Sequence, residues 1–150
     1  MSHVPAYYNL IEELHLDRKH FRFHDLVPVS EVPAYLAACD IVAMPFPWSP
    51  HYAYHMSPLK MFEYMAAEKP ILATQLPSVL EVLVDDKNAV LVEPDNPQAL
   101  AQGIRRIMAD REFSVRISAQ ARRDVRAYTW EERAQKIICF IGANMPALKH

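Results

Sequence analysis

Short apolar runs alternate with helix-like apolar stripes along the chain. The runs at 40–46, 70–74 and 89–92 are mostly apolar, as strands that are buried on both faces are. A fourth segment, His20–His24, alternates polar and aromatic residues, which is typical of a strand with one buried face. The pattern therefore predicts four short strands.

Apolar residues spaced three and four apart predict helices around these strands. Two helix starts carry a small polar cap followed by proline, at Ser57-Pro58 and at Asn96-Pro97. Ser30 is a third predicted cap, and Thr129 with the glutamates after it forms a capping box for the last helix. The segment Pro47–Met56 is predicted to be a loop because proline recurs in it. Helices are predicted at 5–16, 30–38, 57–67 and 78–84, from 96, around 113–126 and from 129.

Strands that alternate with helices predict an α/β fold, a parallel sheet with helices on both faces. The 150 residues fit a single domain, and 51% hydrophobic against 23% charged residues excludes general disorder. A net charge of −2 argues against a nucleic-acid partner, which a basic surplus would attract. No apolar run approaches the ~20 residues of a membrane span. Cys39 and Cys139 make no disulfide framework, so we expect two small buried thiols in a reducing, cytoplasmic compartment.

Glycine is scarce, and this narrows the ways in which the chain can bind phosphate. Only Gly103 and Gly142 are present, against 12 prolines. Glycine-rich phosphate loops and dinucleotide fingerprints are therefore excluded, and a phosphate would have to bind at a bare helix N-terminus. Gly103 lies beside an apolar stripe, where we expect a helix to approach the sheet closely.

The helix predicted at Ser57 offers such a terminus. Ligands of parallel sheets bind at the carboxyl ends of strands, and this helix follows the strand that ends near Phe46. Its first N–H groups lack internal partners, and Lys60 lies in its first turn, so a phosphate would be held there. Glu63 is a near neighbour of Lys60 on the helix surface and could accept hydrogen bonds from sugar hydroxyls. On spacing alone, a plain helix cap with an exposed ion pair explains these residues equally well.

The residues of this region resemble the donor-binding segment of the retaining glycosyltransferases of family 4. The resemblance rests first on SPLKMFEYMAAEKPILAT at 57–74. It begins upstream with VPAYLAACDI at 32–41 and continues through Pro77-Ser78, Glu81-Val82, Asn88 and LVEP at 91–94 to YTWEERA at 128–134. Altogether it covers about Phe21 to Ile141.

The resemblance implies the C-terminal half of a GT-B architecture, in which two Rossmann-like domains face a cleft. Glu63 would then bind the donor ribose, and the amides around Ser57, Leu59 and Lys60 would hold the diphosphate. His55 would lie near the donor sugar and is the candidate catalytic residue. No cofactor or metal is implied, because amides and basic residues neutralise the leaving diphosphate.

The activity implied is retaining transfer of a hexose from a nucleotide diphosphate sugar to a sugar or lipid-linked acceptor. Residues 1–150 would form a single partial domain without the N-terminal acceptor domain, so we expect the chain alone to be inactive. Partners would be the nucleotide sugar and an acceptor domain or partner chain. Peripheral contact with the inner membrane surface and homodimerisation stay open.

Several positions depart from the family pattern. His55 stands where a second glutamate is common, and Asp25, Glu68 and Ala89 stand where glycine is usual. Asp25 would lie near the nucleotide, where a carboxylate repels diphosphate, and Glu68 would need left-handed backbone at a helix end. The basic residues that clamp the diphosphate in the family precede the first helix of this chain. Two alternatives therefore stay open: a non-enzymatic interaction module, and a sugar-nucleotide epimerase of similar shape.

Other residues have two explanations each. His51 and His55 would suit zinc on a helix, but the loop prediction and the lack of a third ligand argue against a metal. Trp48, Tyr52 and Tyr54 either stack on a ligand or pack the loop. The arginines between 105 and 126 either form a solvated face or contact acidic lipid.

Overall fold

The computed structural model describes residues 4–144, which divide into two compact units between Val32 and Pro33. The first unit contains helix α1 (Val4–Glu13) and two 3-10 turns, Arg18–His20 and Val29–Glu31. The strand predicted at His20–His24 is wrong, since the described part of this unit contains no strand. The Phe23 ring packs instead against the rings of Tyr7 and Tyr8 in α1, with centroid distances of 5.7 and 4.9 Å.

The second unit contains a three-stranded parallel sheet. Strands β1 (Val42–Met44), β2 (Ile71–Thr74) and β3 (Val90–Val92) lie side by side in that order. Val42 lies opposite Ile71 in the sheet register. The three predicted apolar runs are thus confirmed as parallel strands, each shorter than its run, and β1 the most, with three residues in place of seven.

The remaining helices surround this sheet. They are α2 (Val32–Ala37), α3 (Pro50–Tyr54), α4 (Leu59–Ala66), α5 (Pro77–Leu80), α6 (Pro97–Ala109), α7 (Arg111–Asp124) and α8 (Trp130–Asn144). A 3-10 turn, Val125–Tyr128, joins α7 to α8. The chain therefore has the α/β arrangement that its pattern predicts.

Alternate residues of β2 face opposite sides of the sheet, and each side has its own core. Ile71 and Ala73 pack with residues of α4 and α5, whereas Leu72 packs with Ile107 of α6 and with α7. Gly103 lets α6 come this close, because a Cβ there would lie 2.6 Å from Cδ1 of Leu72. Helices thus cover both faces, and the predicted close approach at Gly103 is confirmed.

Of the four predicted helix caps, two are confirmed by the structure and two are wrong. Asn96 caps α6 by accepting from the N–H of Ala99, and Thr129 Oγ1 accepts from the N–H of Glu132 at α8. Ser57 does not cap α4: Pro58 is the cap residue, its backbone is extended, and no side chain bonds to that helix end. Ser30 lies inside a 3-10 turn rather than at a cap.

Glu68 adopts the left-handed backbone that its position after α4 predicts, with φ of 55°. Asp86 and Asp95 share this conformation, with φ of 59° and 57°. Glu68 follows α4, Asp95 follows β3, and Asp86 lies in the turn between Asp85 and Ala89, which form an isolated bridge. Acidic residues therefore occupy turns where glycine would be free of strain.

The last helix is amphipathic but largely exposed. Its apolar residues include Trp130, which is 77% exposed, and Ile138 and Phe140, which are also exposed. Cys139 on the same helix is exposed, so its predicted burial is wrong, whereas Cys39 is partly buried. Among residues 4–144, no helix combines the length and the apolar character needed to cross a bilayer.

Candidate functional site

The carboxyl end of β1 leads into a connection, Pro45–Pro58, that ends where α4 begins. This connection contains α3, so the prediction of a continuous loop is wrong. Ser49 caps α3 by accepting from the N–H of Tyr52 at 3.2 Å, and Pro50 occupies its first turn. Ser49-Pro50 is a small polar cap residue followed by proline, the pattern that predicts the helix start at Asn96-Pro97. The same pattern at Ser49 would have predicted α3.

The start of α4 presents free backbone donors to solvent. Pro58 has no N–H, and the N–H of Met61 already bonds to the carbonyl of Pro58 at 3.0 Å. The donors that lack an intrahelical acceptor at this end are therefore those of Leu59 and Lys60. Both side chains are exposed, Leu59 at 70%. This end of the helix can accept an anion without any rearrangement of its own hydrogen bonds.

Lys60 contacts an aromatic ring rather than a carboxylate. Its Nζ lies 4.9 Å from the ring centroid of Phe46, within the range of a cation–π interaction. The Phe46 ring in turn stacks on that of Tyr52, with centroids 5.2 Å apart. The ion pairs of the described residues do not join Lys60 to Glu63. The ammonium therefore stays available to an anionic ligand.

Glu63 lies one turn further along α4 with its side chain exposed. Burial raises the pKa of the neighbouring Tyr64 phenol, and the charges of Cys39 and Glu63 raise it further. Tyr64 is therefore a neutral, half-buried neighbour at neutral pH. The Glu63 carboxylate keeps its lone pairs open to a ligand hydroxyl.

His55 terminates α3, and its N–H donates to the carbonyl of His51 at 2.9 Å. His51 lies within the helix, so the two histidines share one helical segment instead of the predicted loop. Residues 4–144 contain no group of three side chains of metal-binding type. Of the nearby aromatics, Tyr52 packs against Phe46, the second of the two explanations, whereas Trp48 and Tyr54 are exposed.

A cavity of about 370 Å³, here called the basic cavity, opens beside the start of α4. Ser57, just before α4, and Leu59, its first residue, line one side of it, and Arg133 and Lys136 line it from α8. Phe62, Tyr128 and Trp130 are also among its lining residues. Sequence reasoning missed the two cations at this site. Arg133 lies inside the YTWEERA segment, which was recognised for its resemblance but not assigned a position.

A second cavity of about 380 Å³, here called the acidic cavity, lies at the carboxyl ends of the strands. Pro45, Thr74, Glu93 and Asp95 are among its lining residues. Its two carboxylates are engaged locally: Glu93 accepts from Asn96, and Asp95 accepts from the N–H of Trp48. The two negative charges would disfavour a diphosphate in this cavity.

Four of the five predicted site residues come together at one helix end. Ser57, Leu59, Lys60 and Glu63 belong to or adjoin the first turns of α4, and His55 precedes them along the chain. Asp25 lies in the first unit, where it lines a cavity with Arg18 and His24.

The sequence model of the family described as "Glycosyl transferases group 1" matches residues 6–124. The chain belongs to this family. A D-inositol 3-phosphate glycosyltransferase of Corynebacterium urealyticum is 27% identical over 129 residues, which are 86% of this chain and 29% of that relative. The chain thus spans less than a third of that relative's length.

Solved structures of glycosyltransferase-like proteins share the fold of this family member. Sucrose-phosphate synthase of Thermosynechococcus elongatus superimposes with a TM-score of 0.78 at 22% identity, over 94% of this chain and 34% of that one. Anabaena HepE, solved in complex with UDP, superimposes with a TM-score of 0.72 at 22% identity, over 93% of this chain and 36% of that one. The resemblance to a GT-B glycosyltransferase is confirmed.

Proposed function

We propose that this chain is the donor-binding portion of a glycosyltransferase and that the start of α4 binds the diphosphate of a nucleotide sugar. The observation that carries the proposal is the open helix end at Leu59 and Lys60, with its free N–H donors and unpaired ammonium. Arg133 and Lys136 add positive charge in the adjoining basic cavity. The UDP complex of HepE supports the same ligand class.

Glu63 binds the ribose of the donor in this proposal. It is three residues beyond Lys60, so the two side chains are neighbours on the helix surface. A carboxylate accepts two hydrogen bonds at once, which matches adjacent hydroxyl groups. The ammonium and amides would hold the diphosphate while the carboxylate holds the sugar next to it.

The reaction we propose is transfer of a hexose, with retention of configuration, to a sugar or lipid-linked acceptor. The bond between the hexose and the diphosphate breaks, and a bond to the acceptor oxygen forms, with loss of the acceptor proton. Negative charge grows on the leaving diphosphate, and the amides of Leu59 and Lys60 with the Lys60 ammonium would stabilise it without a metal ion. His55 would contact the donor sugar from the end of α3.

We expect little or no transfer by the 150-residue chain alone. The acceptor must be held against the donor and water must be excluded, and both require a second wall of the cleft. An acceptor domain or a partner chain would provide that wall. Measurable sugar transfer by the purified chain would contradict this part of the proposal.

Calorimetric titration with uridine, guanosine and adenosine diphosphates tests the binding site. We expect saturable binding of one nucleotide, lost in Glu63→Ala because the ribose loses its acceptor. Glu112→Ala is the matched control, since Glu112 is an exposed glutamate in the first turn of α7. Absence of binding by the folded chain would overturn the proposal.

An interaction module without activity is the second candidate, and the exposed apolar residues of α8 favour it. A folded chain that binds no nucleotide but self-associates with rising concentration would support this candidate. Sedimentation of the wild type against Phe140→Ser measures that association. Loss of self-association in the variant would assign the contact to α8.

A further inference from the structure

The Phe46 and Tyr52 rings form a stacked pair below the Lys60 ammonium. Both rings are partly buried and pack against the core on the α4 side of the sheet. Their centroids are 5.2 Å apart, and Lys60 Nζ lies 4.9 Å from the centroid of Phe46. A lysine side chain has several freely rotating bonds, so a ring that holds its ammonium restricts where the charge can lie.

Two buried hydroxyls fix the backbone of this ring pair. Thr74 Oγ1, at the end of β2, donates to the carbonyl of Phe46 at 2.8 Å. Ser78 Oγ, in α5, donates to the carbonyl of Tyr52 at 2.7 Å. Thr74 and Ser78 are 4% and 8% exposed, so water does not readily replace these bonds. The backbone carbonyl of each ring residue is thus held by one buried hydroxyl, from β2 for Phe46 and from α5 for Tyr52.

We propose that the Phe46–Tyr52 pair is a platform that positions the Lys60 ammonium for the diphosphate, and that Thr74 and Ser78 are the positioning residues that hold it. The proposal rests on the function proposed above for Lys60. The contact between the rings and the ammonium does not itself depend on nucleotide binding, because it is present in the structure without a ligand. Thr74 and Ser78 act through Phe46 and Tyr52 and do not touch the nucleotide themselves.

The first test needs no ligand. Protons above an aromatic ring resonate upfield, so the ε-protons of Lys60 lie upfield of those of Lys19, Lys69 and Lys87, which contact no ring among residues 4–144, while Lys136 lies over Tyr128 at 5.9 Å. Lys60→Met assigns the resonance by removing it. Phe46→Leu abolishes the upfield shift, Thr74→Val reduces it, and Thr74→Ser, which keeps the hydroxyl, preserves it. An unshifted Lys60 resonance in the wild type overturns the platform.

The second test measures affinity for whichever of uridine, guanosine or adenosine diphosphate the wild type binds. Thr74→Val and Ser78→Ala each weaken binding about three- to tenfold, and Thr74→Ser restores it. Ser118→Ala is the matched control. Ser118 is 5% exposed and its hydroxyl donates to the Ser114 carbonyl within α7, so this variant loses stability but not affinity.

A double-mutant cycle separates positioning from general damage to the fold. In the Lys60→Met background, Thr74→Val leaves the remaining affinity unchanged, because the residue it positions is gone. An equal loss in both backgrounds overturns the positioning role. If the wild type binds none of the three nucleotides, the proposed function fails, and the Lys60 resonance alone decides whether the platform exists.

Discussion

The basic and acidic cavities of the second unit have nearly equal volumes, about 370 and 380 Å³, and opposite charge. The basic cavity adjoins the open end of α4 and is lined by Arg133 and Lys136. The acidic cavity adjoins the strand ends and is lined by Glu93 and Asp95. Parallel sheets place ligands near the carboxyl ends of strands, and the acidic cavity lies there, whereas the basic cavity lies at the start of α4. Charge and free hydrogen-bond donors select the basic one for a diphosphate.

The two cavities also differ in how their polar groups are used. Asp95 accepts from the N–H of Trp48 at 3.0 Å and so anchors the connection that follows β1. Lys60 and the amides at the start of α4 have no protein acceptor. The acidic cavity therefore serves the scaffold. In the basic cavity Lys136 donates to the carbonyl of Ala127 at 3.3 Å, whereas the Leu59 amide and Arg133 remain available to a ligand.

Charge reversal at Lys60 gives the largest expected effect. Lys60→Glu places a carboxylate at the open helix end, where it satisfies the free donors and repels diphosphate. We expect nucleotide affinity to fall by more than about thirtyfold, which corresponds to about 2 kcal/mol. Calorimetric titration measures the affinity. The control is Glu93→Lys, which reverses a negative charge to a positive one in the acidic cavity. A larger effect of Glu93→Lys would reverse the assignment of the two cavities.

Overpacking of α6 perturbs the scaffold behind the acidic cavity. Gly103→Val places side-chain atoms against Leu72 and Val92, since even a Cβ would lie 2.6 Å from Leu72 Cδ1. We expect the free energy of unfolding to fall by about 1–3 kcal/mol in urea titrations. The folded fraction should still bind nucleotide with wild-type affinity. If nucleotide affinity of the folded protein falls together with its free energy of unfolding, the ligand binds next to α6, in the acidic cavity.

Removal of one cation from the basic cavity has a smaller effect. Arg133→Gln should weaken nucleotide binding about two- to fivefold at low salt, because the charge is exposed and largely screened. The difference from wild type should shrink as salt is raised. Arg105→Gln, an exposed arginine of α6, is the matched control. Equal effects of the two variants would mean that Arg133 acts only through net charge.

The smallest effect concerns the pH dependence of stability. Hydrogen bonding and charge attraction from Arg106 hold the pKa of Asp86 below its usual range. A lowered folded-state pKa adds stability above the unfolded pKa, near 3.8, and that stability is lost as pH falls through the folded pKa. Both groups are about half exposed, so the contribution is a few tenths of a kcal/mol. Unfolding of wild type and Asp86→Asn should differ at pH 6 and converge near pH 2.

The strands were predictable because a short and almost wholly apolar run has few alternatives to a strand, although Ala43 in β1 is exposed. The runs that contain Val42, Ile71 and Val90 all formed the parallel sheet. His20–His24 failed because alternation shows only that one face is apolar. In the structure Phe23 buries its ring against α1 without any strand partner.

Only those contacts of the candidate site that lie within one helix were predictable from the sequence. Lys60 and Glu63 are neighbours through helix spacing, which sequence determines. Arg133 and Lys136 reach the same cavity from α8, and no local pattern reports that long-range contact. The cap at Ser57 was wrong because the extended Pro58 moves the helix start beyond the reach of the serine hydroxyl.

Amide NMR spectra of the chain, titrated in turn with uridine, guanosine and adenosine diphosphates, test the choice between the two cavities most directly. A bound diphosphate shifts the amides that donate to it. We expect the largest shifts at Leu59 and Lys60 if the diphosphate binds at the start of α4, with Asp95 and Asn96 nearly unmoved. Largest shifts at Asp95 and Asn96, or no shifts at saturating nucleotide, would contradict it.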